Sequence, residues 1–194
     1  MRLTGGRLGG RTLFAPASAR VRPTSDKVRQ AIFNILEHND FGTGFSLAGA
    51  RLADLFAGTG AMGIEAVSRG ARYCLFVEES AESRALIRKN IEALELTGAT
   101  KIWRRDATKL GPMPAGSGGP FDLVLLDPPY RKNLIPPALT SLAEGGWLAA
   151  MPLLVAEMAE DESLAELSGF QMLDQRIYGD TRVVFLWPER RKQF

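Results

Sequence analysis

Residues 51–70 read RLADLFAGTGAMGIEAVSRG. An apolar run suited to a buried strand, RLADLF, stops at a glycine turn. AMGIEAVSRG then takes helical spacing and ends at Gly70. Strand, glycine turn and helix form one half of a parallel βαβ unit, and the rest of the chain repeats the alternation. RYCLFVE reads as a second strand and SAESRALIRKNIEAL as a helix closed near Gly98. TKIWRRD is the third strand, and 111–120 is a flexible loop. FDLVLLD is the fourth strand, nearly all apolar, as expected where both faces of a sheet are covered. NLIPPALTSLAEGG gives a helix broken at its start by Pro136-Pro137, and PLLVAEM is the fifth strand. FQMLDQRIY and TRVVFLW, joined by Gly179-Asp180, close the chain as an antiparallel hairpin. The pattern predicts a doubly wound, seven-stranded, mostly parallel α/β sheet of the Rossmann-like kind.

Upstream lies a different kind of segment. RLT and RTLFA read as short strands of a small hairpin. In RPTSDKVRQAIFNIL, Val28, Ala31, Ile32, Ile35 and Leu36 fall on one helical face. Thr24 or Ser25 can cap it, and Asp26 suits its first turn. We therefore divide the chain into an arm and helix, 1–40, and a sheet domain, 41–194.

Composition narrows the function. The chain has 194 residues, 45% hydrophobic and 24% charged, as expected of one globular domain with a small appendage. No apolar stretch reaches membrane-spanning length, and MRLTGGRLGGR has no secretory core, so no membrane role is expected. The single cysteine, Cys74, forms no internal disulfide, and a cytoplasmic location follows as the default. Residues 1–30 hold seven basic groups and one acid, a balance of +6, while the remaining residues sum to −4. A basic arm on a mildly acidic body suits a polyanion, although a solvated tail has the same composition. His38 stands alone, and no metal cluster is expected. Cys74 and the tryptophans Trp103, Trp147 and Trp187 read as core.

Gly58, Gly60 and Gly63 fit G-x-G-x-x-G, which by itself would suit a nicotinamide dinucleotide. Asp54 argues otherwise. A carboxylate beside the turn repels a pyrophosphate and suits a ligand with cationic groups. S-adenosylmethionine carries a sulfonium and an ammonium and no phosphate. Phe56, Ala57, Gly58, Thr59 and Gly60 would form its turn, the glycines permitting close approach. Glu78, ending the second strand, would accept both ribose hydroxyls. Asp106, ending the third, with Ala107 beside it, would face the adenine, unless Arg104 and Arg105 simply pair with it.

The fourth strand ends in LVLLDPPY, residues 123–130. In a doubly wound sheet the first and fourth strands are neighbours, so Asp127 comes beside the glycine turn. Pro128 and Pro129 stiffen the corner and donate no N–H, which leaves the Asp127 carboxylate and the Pro128 carbonyl as acceptors. Two acceptors suit an –NH2 group, and Tyr130 suits the face of a base. An amine held by both N–H groups can localise its lone pair on nitrogen and attack a sulfonium methyl in line. Orientation and fixed dipoles then supply most of the rate.

D-P-P-Y downstream of D-x-F-x-G-x-G resembles class I amino-group methyltransferases. With MRLTGGRLGGRTLFAP and VRPTSDKVRQAIFNIL in front, nearly the whole chain resembles the RsmD family. That resemblance implies transfer of a methyl group from S-adenosylmethionine to a guanine N2 of 16S rRNA of the small ribosomal subunit; a monomer is expected, although the sequence does not fix the oligomeric state. It implies that the arm docks on the subunit, where Arg7, Arg11, Arg22, Lys27 and Arg29 would meet phosphates. Arg131, beside the motif, could do the same or remain a solvated charge. Removing residues 1–22 is expected to leave cofactor binding intact. Alternatives within reach of the same motifs are a DNA or other RNA amino-methyltransferase, a nicotinamide dehydrogenase and a non-catalytic ribosome-assembly factor.

Overall fold

A computed structural model describes residues 1–16, 25–163 and 169–189. A seven-stranded sheet runs through its centre in the order β3-β2-β1-β4-β5-β7-β6. The strands are β1 (Arg51–Leu55), β2 (Tyr73–Val77), β3 (Thr100–Trp103), β4 (Phe121–Leu126), β5 (Leu148–Ala159), β6 (Phe170–Tyr178) and β7 (Thr181–Pro188). The first five are parallel; β7 is antiparallel to β5 and β6. The helices are α1 (Asp26–His38), α2 (Ala61–Ser68), α3 (Ala81–Ala93) and α4 (Ile135–Glu144). Strand order reverses between β1 and β4, the place where ligands bind in open α/β sheets. Among the described residues no helix is long and apolar enough to cross a membrane.

Alternation along the strands fills two layers. Leu52, Leu123, Leu125 and Val155 face α1, α2 and α3, while Ala53, Leu55, Val124 and Leu126 face α4 and Trp147. Asp54 keeps step with Leu52 and so points under α2. The apolar side chains of the arm, Leu3 and Leu13, join the first layer with Val28, Ile32, Phe33 and Leu36 of α1.

Local signals place most of the boundaries. The Ser25 hydroxyl caps α1 by accepting the Val28 N–H at 3.2 Å. The two prolines of α4 fall in its first turn, where no intrahelical N–H is needed, so they start the helix rather than break it.

Several expectations need correction. The buried face of α1 is Val28, Arg29, Ile32, Phe33 and Leu36; Ala31 and Ile35 are only half-buried. The face rotates because Arg29 has a buried acid to meet and Phe33 lies under the Arg69 guanidinium, 5.5 Å from its ring centroid. The arm hairpin is a single antiparallel bridge, Arg2 to Thr12, around a 3-10 turn at Gly6–Leu8. Helix α3 ends at Ala93, with Glu95 taking the left-handed turn (φ 57°), before Gly98 is reached. Strand β3 stops at Trp103, so Asp106 lies in the following loop. The 111–120 loop is pinned: Met113 N–H donates to Gly145 O at 2.8 Å and the Tyr73 hydroxyl to Ser117 O at 3.1 Å. Trp147 is fully buried, but Trp103 and Trp187 are half-buried.

Candidate active site

Register brings the site together. Leu55 pairs with Val77 on one side and Leu126 on the other, and Leu126 pairs with Ala156. The next residue on each strand is therefore Phe56, Glu78, Asp127 or Glu157, in one row at the carboxyl end of the sheet. A cavity of about 660 Å³ opens over that row. Phe56, Ala57, Gly58, Thr59, Glu78, Asp106, Ala107, Asp127, Pro128, Pro129 and Tyr130 all line it.

Two residues expected at the ligand lie behind this wall. Asp54 is 1% exposed, and its Oδ2 accepts the Gly63 N–H at 2.9 Å. It fixes the first turn of α2 from beneath, because strand alternation turns it away from the cavity mouth. Burial, the dominant cause, pushes its pKa up to about 8. Gly60 is also behind the wall. At φ 78° it takes a backbone shape that favours glycine, and a Cβ there would sit 3.2 Å from the Phe76 ring. Gly63 serves packing: its Cβ would stand 2.5 Å from both Cys74 Sγ and Phe76 Cε1. Of the three glycines, Gly58 alone forms part of the cavity wall.

Glu78 braces the turn while facing the cavity. One oxygen accepts the Gly58 N–H at 2.8 Å and the other the Ser80 N–H at 2.7 Å. Asp106 accepts both the Thr108 N–H (2.8 Å) and hydroxyl (2.7 Å) through Oδ1. The hydroxyl bond is the largest cause holding its pKa below the usual carboxylate range, so it stays ionised. Arg105 donates to the Leu110 carbonyl. Glu78 and Asp106 thus give the cavity acceptors suited to hydroxyl and amino groups rather than to phosphate.

Tyr130, also in the cavity lining, is half-buried, with its hydroxyl hydrogen-bonded twice. It donates to Glu157 Oε1 at 2.8 Å and meets Thr181 Oγ1 at 3.0 Å. Burial is the largest cause raising its pKa, so it remains a neutral phenol at any physiological pH. Its hydroxyl fixes the ring of this cavity-lining residue. Asp127 is half-buried and lines the same cavity. Among the described residues no cluster of His, Cys, Asp or Glu is placed to hold a metal.

The basic residues separate into different environments. Arg7, Arg11 and Lys27 are exposed. Arg22 lies outside the described residues. Arg29 is not a surface residue: it is 0% exposed and pairs with Glu65 Oε2 at 3.3 Å and Asp26 Oδ1 at 2.9 Å. Arg131 is exposed but engaged, pairing with Asp161 at 3.1 Å.

Glu157, Thr181, Thr108 and Asn90 escaped the reading of motifs. Two of them left a trace. Glu157 is an acid inside the apolar run PLLVAEM, and Asn90 sits among Ile87 and Ile91 on the buried face of α3.

Comparison with known proteins bears on family and fold. The family described as "Conserved hypothetical protein 95" matches residues 1–187. "Putative rRNA methyltransferase YlbH" of Bacillus subtilis is 36% identical over 184 residues, covering 94% of this chain and 96% of that protein. "Ribosomal RNA small subunit methyltransferase D" of Escherichia coli K12 is 34% identical over 165 residues, covering 84% of this chain and 77% of that one. Among solved structures, "Putative methyltransferase yhhF from Escherichia coli" superposes with a TM-score of 0.81 at 26% identity, over 98% of this chain and 99% of that one. Matched along almost its whole length in both sequence and fold, the protein belongs to the RsmD family of class I methyltransferases.

Proposed function

We propose that the protein transfers a methyl group from S-adenosylmethionine to the exocyclic N2 of a guanine in 16S rRNA of the small ribosomal subunit. One observation carries the reading. The strand register sets the Asp127-Pro128-Pro129-Tyr130 corner and the Gly58–Glu78 turn side by side at the sheet's carboxyl end, lining one cavity. Relatives named for small-subunit rRNA methylation support the choice of substrate.

The cavity fits the cofactor's chemistry: its acceptors, Glu78 and an ionised Asp106, suit ribose hydroxyls and an adenine amine. When bound, S-adenosylmethionine supplies an electrophilic methyl on a cationic sulfur. Glu78 holds the ribose side and Asp106 the base side. Asp127 and the Pro128 carbonyl accept the two N–H groups of the guanine amine, orienting its nitrogen lone pair, and the proton that the nitrogen sheds on methylation leaves along its hydrogen bond to the Asp127 carboxylate. The Tyr130 ring, fixed by Glu157 and Thr181, supports the base face, and stacking of this kind is worth about 1–3 kcal/mol. The target base must leave its stack to reach the corner. Arg7, Arg11 and Lys27, exposed on the 1–40 segment, are the docking charges for rRNA phosphates.

The test is mass spectrometry of 16S rRNA from cells lacking the gene. One methylguanosine should vanish, return with the wild-type gene, and stay absent with Asp127→Ala, although that variant still binds S-adenosylmethionine. An rRNA methylation pattern unchanged by the deletion would overturn the proposal.

A further inference from the structure

The arm and the glycine turn meet at one side chain. Asn90, 1% exposed on α3, accepts the Phe14 N–H through Oδ1 at 2.7 Å. Its Nδ2 donates to Phe14 O at 3.1 Å and to Thr59 O at 3.0 Å. The partners dictate the amide's orientation: reversed, it would set an NH2 against an N–H and an oxygen against two carbonyls. Thr59 stands between Gly58 and Gly60 in the turn and is itself 7% exposed, so its carbonyl has little water to turn to.

A second contact joins the same two parts, since the Thr59 hydroxyl lies 3.8 Å from Met1 Sδ. Met1 and the end of the arm are held together, because the Leu13 N–H donates to Met1 O. The arm also lies along α2, the helix that begins at the turn. The Thr4 N–H and hydroxyl both donate to Glu65, and the Leu8 N–H donates to Ser68 Oγ. Its outer face stays accessible: Phe14 is 42% exposed, with the Lys89 ammonium 3.7 Å from its ring centroid.

We infer that Asn90 is a positioning residue that couples the seating of the arm to the shape of the cofactor turn, so that ordering either one favours the other. This rests on the reading of the cavity as the S-adenosylmethionine site. It runs against the expectation that residues 1–22 can be removed without cost to cofactor binding. Linkage of this kind is reciprocal: a partner that holds the arm tightens the turn, and cofactor in the turn tightens the arm.

The test uses the full-length protein and follows amide hydrogen exchange residue by residue, with and without S-adenosylmethionine, beside calorimetric titration. In the wild type, the cofactor should slow exchange in the glycine turn and, by about threefold or more, at the Phe14 amide. In Asn90→Ala the turn should still be protected, Phe14 should not, and cofactor affinity should fall about tenfold for the lost hydrogen bonds. A general loss of packing would speed exchange across α3 without erasing the difference that cofactor makes at Phe14. Protection of the wild-type turn with no change at Phe14 would overturn the coupling, whether or not the variant folds. So would an Asn90→Ala protein that keeps wild-type affinity. If the wild type binds no S-adenosylmethionine at all, the cofactor reading fails and this inference fails with it.

Discussion

Arg29→Ala should destabilise the protein and leave its RNA affinity unchanged. The side chain is 0% exposed and joins three segments. Nε reaches Glu65 at 3.3 Å, and Nη2 donates both to Asp26, at 2.9 Å, and to the Arg2 carbonyl of the arm. Removing one member of a buried ion pair costs about 3–5 kcal/mol. The low end applies here, because Glu65 keeps Arg69 at 2.8 Å and both donors of Thr4. In a domain of this size about 3 kcal/mol lowers Tm by about 6–12 °C. Thermal and urea denaturation measure that loss, and Arg29→Met, which keeps most of the volume, should lose less. Binding to rRNA, titrated against salt, supplies the contrast. Lys27→Ala, two residues away and exposed, should leave stability within about 0.5 kcal/mol and reduce the salt slope by about one. An Arg29→Ala protein with unchanged Tm and a slope reduced by one would show that Arg29 contacts phosphate and that the buried network contributes nothing.

Other variants probe the site itself. Tyr130→Phe keeps the ring but frees it from Glu157 and Thr181, so methyl transfer should fall by up to about tenfold while cofactor affinity holds. Tyr130→Ala should lose a further factor of about five to about 150 if the ring stacks on the base; equal rates for Phe and wild type would show that the ring needs no tether. Asp54 predicts a pH dependence. Its carboxyl titrates near 8 when folded and near 3.8 when exposed, so the folded state holds the extra proton between those values. That contribution is complete below the lower pKa and is lost as pH rises through the upper one, with a slope of at most about 1.4 kcal/mol per pH unit. Urea denaturation should therefore show the wild type losing stability relative to Asp54→Asn between about pH 5 and about pH 8. Parallel pH profiles for the two proteins would contradict a protonated Asp54.

Sequence alone determined the order of elements, the glycine turn after β1 and the D-P-P-Y corner after β4. Each is a local signal: apolar periodicity, a break in it, or a proline pair that no helix interior or central strand accommodates. The doubly wound topology follows from that order, and with it the meeting of the turn and the corner, since strands at the reversal point must be neighbours. Tertiary structure decided which residues of those motifs line the cavity. Asp54 lies within β1 and Phe56, at φ 61°, just past its end; though only two residues apart, one lies under α2 and the other in the cavity wall. That outcome depends on where β1 stops and on the helix packed over it. Arg29 is one more basic residue in a basic segment until Glu65, 36 positions away, comes within reach. Asn90 and Phe14 are 76 apart, and Tyr130 and Thr181 are 51 apart. Separations of that size leave no local periodicity to read, because pairing is created only when the sheet brings distant segments together and excludes the water that would otherwise satisfy each group.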